Sequence, residues 1–446
     1  MDRNPNLRIT DFNEVDLGLS REEVIAEAKR CIQCKKPRCI SGCPVGIDIP
    51  AFIQAIADEK FQDAADIIKK DNMLPAVCGR VCPQETQCQG ECILGKKDLP
   101  ISIGQLERFV ADFERKKGAK CPKCAPATGK KVAVVGSGPA GLACAAELAR
   151  RGHSVTVFES LHEAGGVLMY GIPAFRMPKD IVQYEIDQVK RLGVVIKTNH
   201  IVGRSVSVDE LLSYDAVFLG TGAGLPYFMG IPGENLPGVY SANEFLTRVN
   251  LMGANKFPEN DTPVKVGKKV VVVGGGNVAM DAARVARRMG AEVTLMYRRG
   301  EADMPARLDE VRHAKEEGII FMTATNPIAI LGGNNTVCGV QAVKMELGTA
   351  GDDGRCSFYP IEGSEFAVEA DVVIEAIGQG PNPLLLRMLP ELTRNRNGSV
   401  AVNCLGETSI PKVYAGGDVA TGAATVILAM GTAKEAAVAI DHMLKK

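Results

Sequence analysis

Two stretches of this chain repeat one design. "KKVAVVGSGPAGLACAAELARRGHSVTVFES" spans 130–160 and "KKVVVVGGGNVAMDAARVARRMGAEVTLMYRR" spans 268–299. Each opens with a valine-rich run, passes through a glycine turn into an alanine-rich stretch of helical character, and ends in a second β-branched run. A strand–helix–strand order of this length pairs its strands in parallel with the helix crossing over, which commits both parts of the chain to α/β architecture. Gly136, Gly138 and Gly141 fill G-x-G-x-x-G, and Gly274, Gly276 and Ala279 fill G-x-G-x-x-A around Asn277. The first glycine permits a tight turn, the second lets a pyrophosphate approach the backbone, and the third lets the helix pack on its strand. Free N–H groups at the helix start then meet the negative charge.

The two units differ where the second strand ends. Glu159 falls 23 residues after Gly136, where a carboxylate accepts hydrogen bonds from ribose hydroxyls. The equivalent place holds Arg298, 24 residues after Gly274, followed by Arg299. A carboxylate repels a ribose 2′-phosphate, whereas guanidinium pairs with it bidentately, so the second unit is expected to prefer NADP(H). The competing reading is a solvated arginine pair on a loop. Beyond Glu159, Gly165-Gly166 leaves room for the diphosphate and ring of a flavin. "VYAGGDVATGAATVILAMGTAKEAA" presents Gly417-Asp418 between a strand and a helix, with Asp418 suited to a ribityl hydroxyl. Backbone amides around Thr425, Val426 and Ile427 suit the pyrimidine edge of the flavin. These features assign FAD to the first unit. "DAVFLGTGAGLP" (215–226) and "ADVVIEAIGQGPNP" (370–383) read as two crossings. The fold expected is two Rossmann-like domains, with the NADP(H)-binding domain (238–372) inserted in an FAD-binding domain (131–237 and 373–446).

The chain has fourteen cysteines, and eight of them lie between 31 and 92. Its first residues are polar and no apolar run approaches the roughly 18 residues of a membrane span, so a cytoplasmic location is expected. There, thiols bind metal or react rather than cross-link. A formal net charge of −1 offers no basic field to nucleic acid or membrane lipid. Helix signals dominate the segment: Ser20 with Glu23 as a capping box, Asp48 with Pro50, "FQDAADIIKK", and Leu106, Phe109, Val110 and Phe113 at helical spacing after Ser102. An α-helical domain over 1–117 follows, with its cysteines in turns between helices and a separable linker at 118–130. The run Cys31-x2-Cys34-x4-Cys39-x3-Cys43-Pro44 has the cysteine–proline ending of iron–sulfur runs, and lacks the paired knuckles and histidines of zinc sites. Two 4Fe–4S clusters are expected. In "CPKC", Cys121 and Cys124 are either incidental or half of a metal knuckle.

The order of a double-cluster cysteine domain, "VGSGPAGL", "VVGGGNVAMDAAR" and "AGGDVATG" resembles the small-subunit family of NADPH-dependent glutamate synthase. The N-terminal half of dihydropyrimidine dehydrogenase and the large subunit of NADH-dependent reduced ferredoxin:NADP⁺ oxidoreductase share the resemblance. It covers the chain from about residue 20. It implies hydride exchange between NADPH and FAD, then single electrons through the clusters to or from a partner. It also implies seven cysteine ligands and one side-chain oxygen: Cys31, Cys34, Cys39 and Cys92 for one cluster, and Cys43, Cys82, Cys88 and Glu107 for the other, with Cys78 as the rival to Glu107. No C-x2-C or C-x4-C pair occurs in 130–446, so no dithiol relay beside the flavin is expected. No acid–base or nucleophilic side chain is required, and Arg176, Lys179 and Glu301 receive no catalytic role. The partner implied is a glutamate synthase large subunit or a ferredoxin- and NAD-linked flavoprotein, with bifurcation at the FAD open. A non-catalytic redox sensor and a free-standing NADPH reductase are the alternatives.

Overall fold

The computed structural model describes residues 2–119, 123–350 and 356–446; Cys121 lies outside them. The Ser20 hydroxyl accepts from the Glu23 N–H, and the Glu23 carboxylate accepts from the Ser20 N–H, starting helix Arg21–Lys29. Asp48 caps helix Ile49–Ala57, whose first turn holds Pro50, and helices Phe61–Asp71 and Ile103–Lys117 complete the bundle. The last of these buries Leu106 and Val110, and its Phe109 and Phe113 rings stand 5.4 and 5.3 Å from that of Phe61.

Two cysteines depart from the expectation that all lie in turns. Cys39 belongs to a short helix, Arg38–Ser41, and Cys78 to helix Pro75–Val81. Gly79 lies inside the latter helix. In the fold it marks a crossing, because a Cβ there would sit 2.6 Å from the Arg108 backbone nitrogen.

Five parallel strands form the first sheet, in the order Val413–Ala415, Ala216–Leu219, Lys131–Val135, Ser154–Phe158, Val195–Lys197. A second parallel sheet runs Val239–Ser241, Val372–Glu375, Lys269–Val273, Glu292–Met296, Ile320–Met322. Between them the chain crosses out at Leu225–Pro226 and back at Gln379–Gly380, and these two segments pair antiparallel. Strand Val372–Glu375, which a boundary at 372 would cut, lies wholly in the second sheet. An antiparallel sheet of Thr325–Gly333, Thr336–Ala350, Cys356–Pro360 and Phe366–Glu369, absent from the sequence reading, covers one face of the second sheet with Ile330, Val337 and Val340.

The helical segment is not a separable module. Its core is continuous with that of the first sheet, joining Phe52, Ile68 and Val77 to Leu142, Met430 and Ala433. The residues before the first long helix reach the second sheet instead: Arg8 is fully buried against Glu317 (2.8 Å), and Val15 joins the core of that domain. Among the described residues no helix is long and apolar enough to cross a membrane.

Candidate cofactor-binding sites

Cys31, Cys34, Cys39 and Cys92 face one another, each half-buried. Burial, and then the negative charge that each neighbouring thiolate would carry, push the Cys39 thiol up to about 11 and the Cys31 thiol in the same direction. A cation in their midst reverses that repulsion by displacing the protons. A second cavity is lined by Cys43, Cys82, Cys88 and Glu107, with Phe52 and Ile427 among its apolar walls. A hydrogen bond with Cys78, and then burial, raise the Cys82 thiol strongly, and burial raises that of Cys88. Glu107 is buried, accepts from the Asn72 amide at 2.7 Å, and is pushed by its burial up to about 8. Cys78 does not line this cavity; its sulfur faces Asn72 and Met430 and meets the Cys82 thiol behind the cavity wall. The cysteine sulfurs that dominate both donor sets are the donors an iron–sulfur cluster takes, and the two sets fit two such clusters.

At the first glycine turn, Gly136 has φ of +97°, and a Cβ there would lie 2.5 Å from the Gly220 carbonyl oxygen. A Cβ on Gly138, by contrast, would meet nothing within 4 Å. The protein's own packing demands the first glycine but not the second, so the space over Gly138 is a cradle for a ligand. Glu159 lies beneath, buried, accepting from the Ser137 N–H (2.9 Å) and hydroxyl (2.6 Å) and from the Leu161 N–H (2.8 Å). The Ser137 hydroxyl also accepts from the N–H of Gly165 (3.0 Å), and a Cβ on Gly166 would press on Gly138. Gly417 closes the other side against Ala140, and burial pushes Asp418 up to about 6.

The second turn repeats the logic. Gly274 is pressed by Ala376, whereas a Cβ on Gly276 would meet only the Pro305 ring at 3.9 Å. Asn277 does not face the cradle with its side-chain oxygen, which accepts from the Arg307 N–H at 3.0 Å and fastens the following loop. Tyr297 packs on Gly275, and Arg298 and Arg299 flank Tyr297 without an ion pair among the described residues. Glu301, which is near in sequence, is taken by Lys315.

Residues 8–119 match the family described as dihydropyrimidine dehydrogenase domain II, 4Fe-4S cluster, and residues 130–442 match pyridine nucleotide-disulphide oxidoreductase. The glutamate synthase [NADPH] small chain of Escherichia coli is 37% identical over 98% of this chain and 95% of its own length. The chain belongs to the glutamate synthase small-chain family. The NADP(+)-dependent formate dehydrogenase subunit beta of Moorella thermoacetica is 42% identical over 92% of this chain, which spans 60% of that relative's length. FprA from Mycobacterium tuberculosis shares the fold, with a TM-score of 0.61 at 23% identity over 72% of this chain and 85% of its own.

In this member of the glutamate synthase small-chain family, one helix joins the sites. Val426–Leu444 is capped by the Thr425 hydroxyl, which accepts from the Leu428 N–H at 3.2 Å, and its first turn adjoins the Gly417-Asp418 segment. Ile427 on that turn is also a wall of the cavity holding Cys43, Cys82, Cys88 and Glu107. Sequence reasoning missed Tyr170 and Asn72 around these sites, and it named Lys179 without a catalytic role. Tyr170 lies near Asp418 and Glu159, and burial raises its hydroxyl to about 12. Lys179 is held down to about 7 by burial and donates to the carbonyls of Leu168 (2.8 Å) and Ile172. Asn72 had no signal beyond its place after a helix.

Proposed function

We propose that the chain is the NADP(H)-linked electron-transfer subunit of a larger complex, with FAD at the Gly136–Gly141 turn, NADP(H) at the Gly274–Ala279 turn, and 4Fe–4S clusters on the two cysteine sets. Bound there, FAD supplies the exchange between two-electron hydride chemistry and one-electron transfer, and the clusters supply a one-electron relay. The residues bind and orient. Arg298 and Arg299 hold the 2′-phosphate, and the cradle over Gly276 takes the pyrophosphate. Glu159 accepts from the ribose of FAD and Asp418 from its ribityl chain. The amides at Thr425 and Val426 offer positive potential to the flavin's pyrimidine edge.

The observation that carries this reading is the C-terminal helix, whose first turn borders the flavin pocket on one side and, through Ile427, the cavity of Cys43, Cys82, Cys88 and Glu107 on the other. Cys31, Cys34, Cys39 and Cys92 then form the outer station toward a partner. The relatives named as beta subunits and small chains support such a partner, and its identity is a matter for co-purification. Anaerobic titration of the isolated chain with NADPH tests the reading. Bleaching of the flavin together with new low-temperature EPR signals is the expected result; bleaching without EPR signals, or no bleaching, excludes it, and no bleaching favours a sensor.

A further inference from the structure

One buried amide touches both candidates for the eighth cluster ligand. Asn72 follows helix Phe61–Asp71 and is fully buried. Its Oδ1 accepts from the Leu74 N–H at 2.9 Å. A backbone N–H can only donate, so the amide's orientation is settled, and the atom facing Glu107 Oε1 at 2.7 Å is the donor Nδ2. The Cys78 sulfur lies 3.8 Å from Oδ1 and 3.7 Å from the Met430 sulfur. The donor end thus holds Glu107 at the cavity wall, while the acceptor end faces Cys78, which does not line the cavity. With Oε1 engaged, Oε2 of Glu107 has no hydrogen bond among the described residues, and Glu107 lines the cavity.

We propose that Asn72 is a positioning residue that selects the eighth ligand: it offers Glu107 through Oε2 alone to the cluster held by Cys43, Cys82 and Cys88, and so leaves Cys78 outside that ligand set. The inference rests on the reading that Glu107 completes that ligand set. Asn72→Asp replaces the donor by an acceptor while preserving the oxygen that caps Leu74, so it repels Glu107 from the position the amide gives it.

The test uses the full chain, purified anaerobically, with iron and FAD content measured alongside EPR of the dithionite-reduced protein. Asn72→Asp is expected to shift the g-values of one of the two cluster signals. Adding Cys78→Ala to Asn72→Ser, which removes the donor without adding a charge, is expected to remove about half of the bound iron. Cys78→Ala alone is expected to leave iron and both signals unchanged. Asn72→Ser, whose hydroxyl still accepts from Leu74 but is too short to reach Glu107, gives the same shift and serves if Asn72→Asp fails to retain FAD. Unchanged signals in the Asn72 variants, or iron loss in Cys78→Ala alone, overturn the proposal. Glu107→Ala separates the two levels. Unchanged iron and signals there remove Glu107 from the ligand set and the reading beneath, whereas a shift there with none in the Asn72 variants removes the selection alone.

Discussion

Arg298 and Arg299 stand beside the second glycine turn with no carboxylate paired to either among the described residues, in a chain that pairs its buried guanidinium groups with acids. Two such cations at the end of a strand leave a place for an anion. A charge-assisted pair with phosphate contributes about 1.5–3 kcal/mol, so replacing both arginines by Ala is expected to raise KM for NADPH roughly 10- to 100-fold. Steady-state kinetics with each nucleotide checks this, and KM for NADH is expected to change little; equal losses for both would mean that the pair holds something other than the 2′-phosphate. At this scale the sequence was informative where chemistry follows from spacing along one element. Gly138, Gly276 and Glu159 are such residues. Asn72 and Tyr170 were invisible because their neighbours come from 35 residues away and from two separate loops. Asn277 was legible as a member of the turn but not as the clasp of the Arg307 loop.

The C-terminal helix carries its consequence at Gly431. A Cβ there would lie 2.6 Å from the carbonyl oxygen of Pro44, the residue after Cys43. Two effects oppose each other in Gly431→Ala. Helix propensity favours alanine by about 1 kcal/mol. Forcing a methyl against a backbone oxygen in a packed core costs about 1–3 kcal/mol, and Lys434, bonded to Val45 (2.9 Å) and Asp71 (2.6 Å), resists the retreat. The clash is expected to win, with a lower melting temperature and slower reduction of the clusters by NADPH while flavin bleaching keeps its rate. A stabilised variant with unchanged cluster reduction would show that the two walls are not held together here. The inner strands of the two parallel sheets were legible because valine-rich runs lead there into glycine segments, whereas the short edge strands Val195–Lys197, Val239–Ser241 and Ile320–Met322 were not. The antiparallel sheet was not: Pro327 and the bulges at Pro327/Ala329 and Leu331/Gly332 break the alternation that betrays a strand. Helix Pro75–Val81 hid behind a glycine that exists for a crossing.

Three parts of the molecule meet in one buried network of charge. Phe175, from the first domain, lies in the core of the second, with the guanidinium carbons of Arg288 and Arg284 at 3.9 and 4.6 Å from its ring centre. Arg176 beside it pairs with Asp281 (2.7 Å) and Glu310 (2.9 Å) of the second domain. The N-terminal segment adds Arg8 on Glu317 and the Val15 N–H on the Phe175 carbonyl (2.9 Å), and Arg284 and Arg288 complete the set on Glu317. An ion pair this deep contributes little compared with a hydrophobic substitute, but removing one member strands the others, at about 3–5 kcal/mol. The second domain is therefore fixed to the first in one orientation, which is what hydride transfer between two separately bound nucleotides requires of the scaffold. Arg176→Met leaves Asp281 and Glu310 with Arg284 as their nearest remaining cation, and is expected to uncouple the domains. Calorimetry on the FAD- and iron-loaded chain should then show two unfolding transitions where the unsubstituted chain shows one, the earlier moving up when NADP⁺ is added if, as proposed, the inserted domain binds it. Flavin bleaching by NADPH should slow in step, with FAD and iron content unchanged. One transition at an unaltered temperature would mean that the crossing strands and Phe175 hold the domains by themselves, and that the charges at their junction serve only their own neutralisation.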